Sequence, residues 1–206
     1  MPLSDTVTAV WMFVRWLFAG MAWVVERILL MTRRKDLNLN SFIRVIPDFP
    51  KQGILFRDIT PLLGNPLAFR EVVHRMAEAF AETPIDAIVA AEARGFIFAA
   101  PMALELNASF IPVRKPGKLP HHRHSFSYDL EYGQDTLEMH KDAIHPGQRV
   151  LVVDDLLATG GTVGACIRLL EETGAVIAGC AFCIELKSLR GREKLGNYPI
   201  HSVLSY

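Results

Sequence analysis

The sequence predicts an α/β fold: a parallel twisted sheet flanked by helices. Three observations predict it. Short apolar runs alternate with segments of helical spacing. The runs are continuously apolar rather than alternating, as in strands covered on both faces. And one of those runs passes through a turn of small residues into a helix. Ligands of such sheets sit at the carboxyl ends of the strands.

In order along the chain, Asn65-Pro66 gives a helix start, with a side-chain cap and proline at the first helical position. Phe69, Val72, Val73, Met76 and Phe80 follow at helical spacing, and Thr83-Pro84 closes that helix. Ile85 to Ala90 is a short apolar strand. Residues 96–106 read as helix after Arg94-Gly95, and Ala108 to Val113 as strand. Residues 114–133 are polar, with two prolines and four basic side chains, and read as one long loop. Arg149 to Val153 is a β-branched strand, Thr162 to Thr173 a helix closed by Gly174, and Val176 to Leu186 a further strand.

Composition bounds the function classes. The chain has 206 residues, 50% hydrophobic and 21% charged, so it can bury a core and is not intrinsically disordered. At about 150 residues per domain, one domain with an appendage fits best. Lys and Arg total 22 and so do Asp and Glu, so no global positive field attracts nucleic acid. Three cysteines exclude a disulfide scaffold, and no Cys/His set has zinc-finger spacing.

The average conceals an apolar, basic head. All three tryptophans, Trp11, Trp16 and Trp23, lie in it, and residues 1–35 carry five basic and two acidic side chains. From Ala9 to Met31 only Arg15, Gly20, Glu26 and Arg27 are not apolar. Arg15 and Glu26 leave an uncharged run half the length of about 20 residues that a spanning helix needs. Arg15, Ala19, Ala22 and Glu26 share one helical face, so the segment could lie on a membrane or pack on a partner. Arg33-Arg34-Lys35 would keep the body cytoplasmic if it inserted. A signal peptide is not expected. Three readings stay open: an irrelevant extension with translation starting at Met31, a peripheral helix, and a true span. The expected division is residues 1–35 as extension and 36–206 as the globular domain.

Residues 149–162, Arg-Val-Leu-Val-Val-Asp-Asp-Leu-Leu-Ala-Thr-Gly-Gly-Thr, carry the sharpest chemistry. An apolar strand ends in two carboxylates, and a turn of small residues opens a helix. Backbone N–H groups and the positive dipole end make a helix start an anion site. Gly160 and Gly161 let main chain approach a phosphate, and Thr159 and Thr162 add hydroxyls. Asp154 and Asp155 cannot bind phosphate themselves; they serve hydroxyls or hydrated Mg²⁺. The ligand this implies is a sugar phosphate. The plain alternative is a strand–turn–helix with a capping Asp.

This segment resembles the phosphoribosyl-pyrophosphate (PRPP) signature of the type I phosphoribosyltransferases, in the version of their adenine-specific branch. Three further segments agree. Residues 46–50 (Ile-Pro-Asp-Phe-Pro) and 53–61 (Gly-Ile-Leu-Phe-Arg-Asp-Ile-Thr-Pro) resemble the base-covering hood, placed at approximately 38–65. Glu92-Ala93-Arg94-Gly95-Phe96 resembles the pyrophosphate loop. Residues 114–120 (Arg-Lys-Pro-Gly-Lys-Leu-Pro) and 128–133 (Tyr-Asp-Leu-Glu-Tyr-Gly) resemble the mobile catalytic loop. The resemblance covers residues 38–206 and excludes the head.

The resemblance implies a Rossmann-related sheet with a small N-terminal hood, and transfer of the 5-phosphoribosyl group of PRPP to adenine, giving AMP and pyrophosphate in purine salvage. It implies that Ala158, Thr159, Gly160, Gly161 and Thr162 hold the 5-phosphate. Asp154 and Asp155 face the ribose hydroxyls and Mg²⁺, which substrate and water mainly hold, with no direct protein ligand. Arg94, Arg114, Lys115 and Lys118 meet pyrophosphate. Leu55, Phe56 and Arg57 meet adenine, largely through backbone at Leu55 and Arg57. Glu131 assists at the purine or the ribosyl cation. The chemistry needs charge neutralisation of the leaving group and exclusion of water by a closing lid, and 114–133 has the length and charge for one. A non-proline cis peptide is expected at Glu92–Ala93. A cytoplasmic homodimer is implied, with membrane contact only through residues 9–31 and no nucleic-acid partner.

Bland alternatives stand beside these roles: a solvated carboxylate for Glu131, a surface charge for Arg94, a core aromatic for Phe56. The sequence departs from the family at His121-His122-Arg123-His124, where relatives commonly have threonine at Arg123. Consecutive histidines on a lid seldom close around a metal, so lid charge is the preferred reading. Cys166, Cys180 and Cys183 read as reduced core thiols. Two other function classes remain: a PRPP-binding regulator without the chemistry, and a membrane-recruited partner protein whose working part is the head. An intact basic lid and an apolar head without a DNA-binding arm speak against the regulator.

Overall fold

The computed structural model describes residues 37–129 and 134–206. They fall into two units, one ending at Ala68 and one spanning Phe69–Tyr206. Everything expected of residues 1–35, and the role given to Glu131, lies outside the described residues. Among the described residues no helix is long and apolar enough to cross a membrane.

The first unit is held by short polar caps. Asn38 Oδ1 accepts from the Asn40 N–H at the start of a 3-10 turn, Leu39–Phe42. Strand β1 (Arg44–Pro47) then pairs antiparallel with β2 (Leu55–Asp58), Arg44 opposite Asp58. Asp48 has a left-handed backbone, φ 56°, and its Oδ1 accepts the Gly53 N–H at 2.7 Å, which closes the connection. Asp58 Oδ1 accepts from the Thr60 N–H and hydroxyl at 2.9 and 2.6 Å, at the start of the short helix α1 (Thr60–Leu63). These two bonds hold the Asp58 carboxyl below its ordinary value.

Helix α2 (Pro66–Glu78) begins as its sequence requires. Asn65 Oδ1 accepts the N–H groups of Leu67 and Ala68 at 3.0 Å each, and Pro66 occupies the first turn. Val72, Val73, Met76 and, beyond the helix, Phe80 are buried, the apolar stripe its spacing predicts.

In the second unit β3 (Ala87–Ala91), α3 (Gly95–Glu105) and β4 (Ser109–Val113) follow in order. Then β5 (Arg123–Asp129) pairs antiparallel with β6 (Gln134–His140). Next come β7 (Arg149–Leu157), α4 (Gly161–Glu172), β8 (Val176–Glu185) and β9 (Ile200–Ser205). The main sheet has the order β4-β3-β7-β8-β9, all parallel. Side chains alternate across it. Ala87, Val89, Ala91, Val150 and Val152 enter one core cluster with Val163, Cys166, Leu169 and Leu170 of α4. Ala90, on the opposite face of β3, lies where a Cβ on Gly95 of α3 would come within 3.3 Å. Both faces are therefore covered, as continuous apolar strands require.

The structure corrects three expectations. Residues 114–133 are not one loop, because β5 occupies 123–129: Phe126 and Tyr128 pack on the core while Ser125 and Ser127 alternate with them. The strand expected over Arg149 to Val153 does not stop there but runs through both aspartates to Leu157, because β8 pairs with Leu156 and Leu157 at Ile184 and Glu185. And β9 adds an edge strand that the apolar runs do not announce. The cysteines are free and buried as expected, and burial pushes the Cys180 and Cys183 thiols up to about 12.

Candidate active site

The site is built where β7 meets α4. Gly160 is the N-cap of α4, with φ 77°, a left-handed conformation that favours glycine. It offers no side chain to cap the helix, and the first intrahelical bond runs from the Gly164 N–H to the Gly160 carbonyl at 2.8 Å. The N–H groups of Gly161, Thr162 and Val163 have no acceptor within the helix and point out of its positive end. That arrangement is an anion cradle. A cleft of about 530 Å³ opens beside it, lined by Tyr128, Gly160, Gly161, Arg168 and Lys194 among others.

The turn is packed from outside by main chain. A Cβ on Gly160 would come within 2.6 Å of the Gly191 carbonyl oxygen, and a Cβ on Gly191 would overlap the Ala158 carbonyl oxygen. Gly191 thus lets residues 190–192 pack against the 158–162 turn. Behind it, Arg192 donates through Nε and Nη2 to Glu185 at 2.6 and 2.7 Å.

Asp154 and Asp155 follow one another on β7, and their carboxylates lie close enough to interact. Burial and the adjacent Asp155 carboxylate push Asp154 well above the ordinary carboxylate range, and the Asp155 N–H donates to its Oδ1 at 2.9 Å. Arg94 Nε pairs with Asp155 Oδ2 at 2.8 Å. Gly95 makes that approach feasible: a Cβ there would stand 2.9 Å from Asp154 Oδ1 and 3.1 Å from the Val153 carbonyl oxygen. The Glu92–Ala93 peptide is cis, as expected. Glu92 Oε2 receives Arg114 Nε at 2.5 Å, which brings the second of the four basic candidates to the same strand ends.

Lys115 pairs with Asp135 of β6, and the Tyr128 hydroxyl donates to the same carboxylate at 3.2 Å. Tyr128 also meets the side chain of Thr162 at the start of α4; its burial raises the phenol above its ordinary value. Lys118 is exposed at the turn after Lys115. The structure therefore gathers Asp154, Asp155, Arg94, Arg114, Lys115 and the 158–162 turn in the second unit. Leu55, Phe56 and Arg57 lie on β2 of the first unit. There Leu55 is 56% exposed, and Phe56 stacks edge-on with Phe49 at 5.1 Å between ring centroids.

Sequence reasoning passed over Glu92 as an ion-pair partner, and over Asp135, Glu138 and Gly191 altogether. The acids of β6 carried a usable signal, since Leu137 and Met139 alternate with Glu138 in strand period. Gly191 carried none, because what demands glycine there is a backbone neighbour from 33 positions earlier at Ala158.

A five-stranded parallel sheet with a glycine-capped anion turn after paired aspartates, and basic residues converging on the strand ends, defines a type I phosphoribosyltransferase. The family model of the phosphoribosyl transferase domain matches residues 59–199. An adenine phosphoribosyltransferase of Rhodopirellula baltica is 59% identical over 172 residues, covering 84% of each chain. The crystal structure of that enzyme from Thermoanaerobacter pseudethanolicus superposes with a TM-score of 0.79 at 50% identity, over 82% of this chain and 98% of that one. The Saccharomyces cerevisiae structure, complexed with an imino-altritol bisphosphate and adenine, gives 0.75 at 42% identity, over 80% and 95%. The chain belongs to the adenine phosphoribosyltransferases.

Proposed function

We propose that this chain transfers the 5-phosphoribosyl group of PRPP to adenine, releasing pyrophosphate and forming AMP. The observation that carries the reading is the uncapped, glycine-led start of α4, reached by a short turn from the strand that bears the aspartate pair. One end of that turn takes a phosphate dianion and the other takes ribose hydroxyls. The yeast relative's complex with adenine and a bisphosphate supports the same pair of substrates.

The residues divide the work. Main chain at Ala158–Thr162 holds the 5-phosphate. Asp154 and Asp155 orient the ribose hydroxyls. Arg94, Arg114, Lys115 and Lys118 neutralise pyrophosphate as the C1–O bond breaks and the C1–N9 bond forms. Glu131 assists at the purine, where the N9 proton must leave, or at the ribosyl cation. Leu55, Phe56 and Arg57 take the base, Phe56 by stacking. The donor set fits Mg²⁺: two adjacent carboxylates and substrate oxygens suit a hard cation that keeps most of its water. Bound there, Mg²⁺ supplies charge neutralisation for the leaving group. Homodimerisation and a cytoplasmic location belong to the same proposal, and peripheral membrane contact through residues 9–31 is its remaining part.

Purified protein given PRPP, Mg²⁺ and each purine in turn tests the reading. AMP formation from adenine is expected to outrun formation of the other nucleotides. No turnover with any base would sink the enzyme reading in favour of a PRPP-binding regulator, and faster use of hypoxanthine would overturn the base. Sedimentation velocity reports the dimer.

A further inference from the structure

We propose that Glu138 is a positioning residue for pyrophosphate, a buried carboxylate that fixes the Arg114–Lys118 segment to the β5–β6 hairpin. The inference rests on the reading of Arg114 and Lys115 as pyrophosphate ligands. Its foundation is strand geometry. Leu137 and Met139 are 1% and 0% exposed in the core, so Glu138 between them projects from the other face of β6, yet it is only 4% exposed. A carboxylate that deep must be fully bonded. Oε1 accepts from Arg123 Nε at 2.7 Å and from the Ser125 hydroxyl at 3.3 Å, and Oε2 accepts the Gly117 N–H at 3.2 Å. The Glu138 main chain exchanges both hydrogen bonds with Arg114, each 2.8 Å. One residue thus grips the basic segment at Arg114 and at Gly117, on either side of Lys115, and binds it to β5 through Arg123 and Ser125. Burial raises this carboxyl, but the Arg123 and Gly117 bonds outweigh it and hold it below the ordinary range, so it stays charged. Arg123, the departure from the family pattern, finds its partner here.

The consequence is selective. Removing the Glu138 carboxylate leaves the main-chain bonds to Arg114 but frees the far end of the segment at Gly117, so Lys115 and Lys118 on either side of that glycine lose their aim and ligands with a pyrophosphate group lose affinity. AMP, which has none, does not. Glu138→Ala, Glu138→Gln and Arg123→Ala are assayed in the full chain, in both directions, with thermal melts to confirm folding. Glu138→Ala is expected to raise KM for PRPP and for pyrophosphate about tenfold, with KM for AMP and kcat within about threefold. Glu138→Gln keeps an acceptor for Gly117 and should give a rise of about threefold, a partial rescue. Equal rises in the KM of AMP and pyrophosphate would mark a merely structural residue and overturn the proposal. If Glu138→Ala does not fold, unchanged KM values in the other two variants overturn it. Arg114→Ala and Lys115→Ala separate the layers. If they raise KM for pyrophosphate and the Glu138 variants do not, positioning fails alone; if neither raises it, the ligand reading fails and this inference with it.

Discussion

Gly191 is a position where a single added methyl group would displace main chain. Its Cα lies so close to the 158–162 turn that an added Cβ would overlap the Ala158 carbonyl oxygen and stand 2.8 Å from Leu157 Cδ1. Neither atom can swing aside, since one is main chain and the other is in a fully buried side chain. The turn would have to move instead, at an overpacking cost of about 1–3 kcal/mol. Gly191→Ala is therefore expected to raise KM for PRPP about tenfold, 1.4 kcal/mol being one decade, while KM for adenine changes little. Steady-state kinetics with each substrate varied will show it, and an unchanged KM for PRPP would mean the turn is not held from that side. The acids make a contrasting case, because the proposed reading gives them a part in the reaction itself. Glu131→Ala should depress kcat far more than it weakens PRPP binding, and equal turnover would remove that side chain from its role. Replacing both Asp154 and Asp155 by Asn should abolish AMP formation, and full activity of the double variant would refute their assignment.

At the scale of elements, Arg192 and Glu185 tie the segment behind the phosphate turn to the end of β8. Glu185 is buried, and the two hydrogen bonds from Arg192 hold its carboxyl below the ordinary value despite that burial. A depressed carboxyl contributes stability above its unfolded value, near 4.5, and loses it as the pH falls through its folded value. Arg192 is 45% exposed, so solvent screens its side of the pair. Arg192→Ala should cost about 2 kcal/mol at neutral pH. That deficit against the parent should shrink below about pH 4.5, where Glu185 protonates in the unfolded chain. Chemical denaturation of both proteins at several pH values measures it; a deficit independent of pH would assign the loss to packing. The elements themselves were unevenly legible. α2 could be placed from Asn65-Pro66 and its apolar stripe, because local capping and periodicity determine a helix start. β5 was hidden because prolines and charges at 114–123 dominate the composition, although Phe126 and Tyr128 alternate with serines as a half-buried strand should. β7 continues past its aspartates because its neighbour β8 supplies the pairing, and no local pattern in Asp154-Asp155 reveals that neighbour. The glycine turn was legible since its chemistry is local; Glu138 and Gly191 were not, since their partners are distant in sequence.

For the whole molecule, three of the four bases that the proposed reading gives to pyrophosphate are paired with carboxylates: Arg94 with Asp155, Arg114 with Glu92, Lys115 with Asp135. On that reading binding is an exchange in which a multiply charged ligand displaces these carboxylates. All of these groups belong to residues 69–206, and relatives whose length is matched almost completely cover 82% of this chain. On the proposed reading the chemistry uses none of residues 1–35. A chain begun at Asp36 is expected to keep kcat within about twofold and to keep both KM values. The head's own effect should appear instead as sedimentation of the full chain, and not of the shortened one, with anionic lipid vesicles, where apolar burial and the Arg33-Arg34-Lys35 cluster act together. Loss of turnover in the shortened chain would place the head within the enzyme's working structure. Equal sedimentation of the two would remove the membrane role and leave the extension without one.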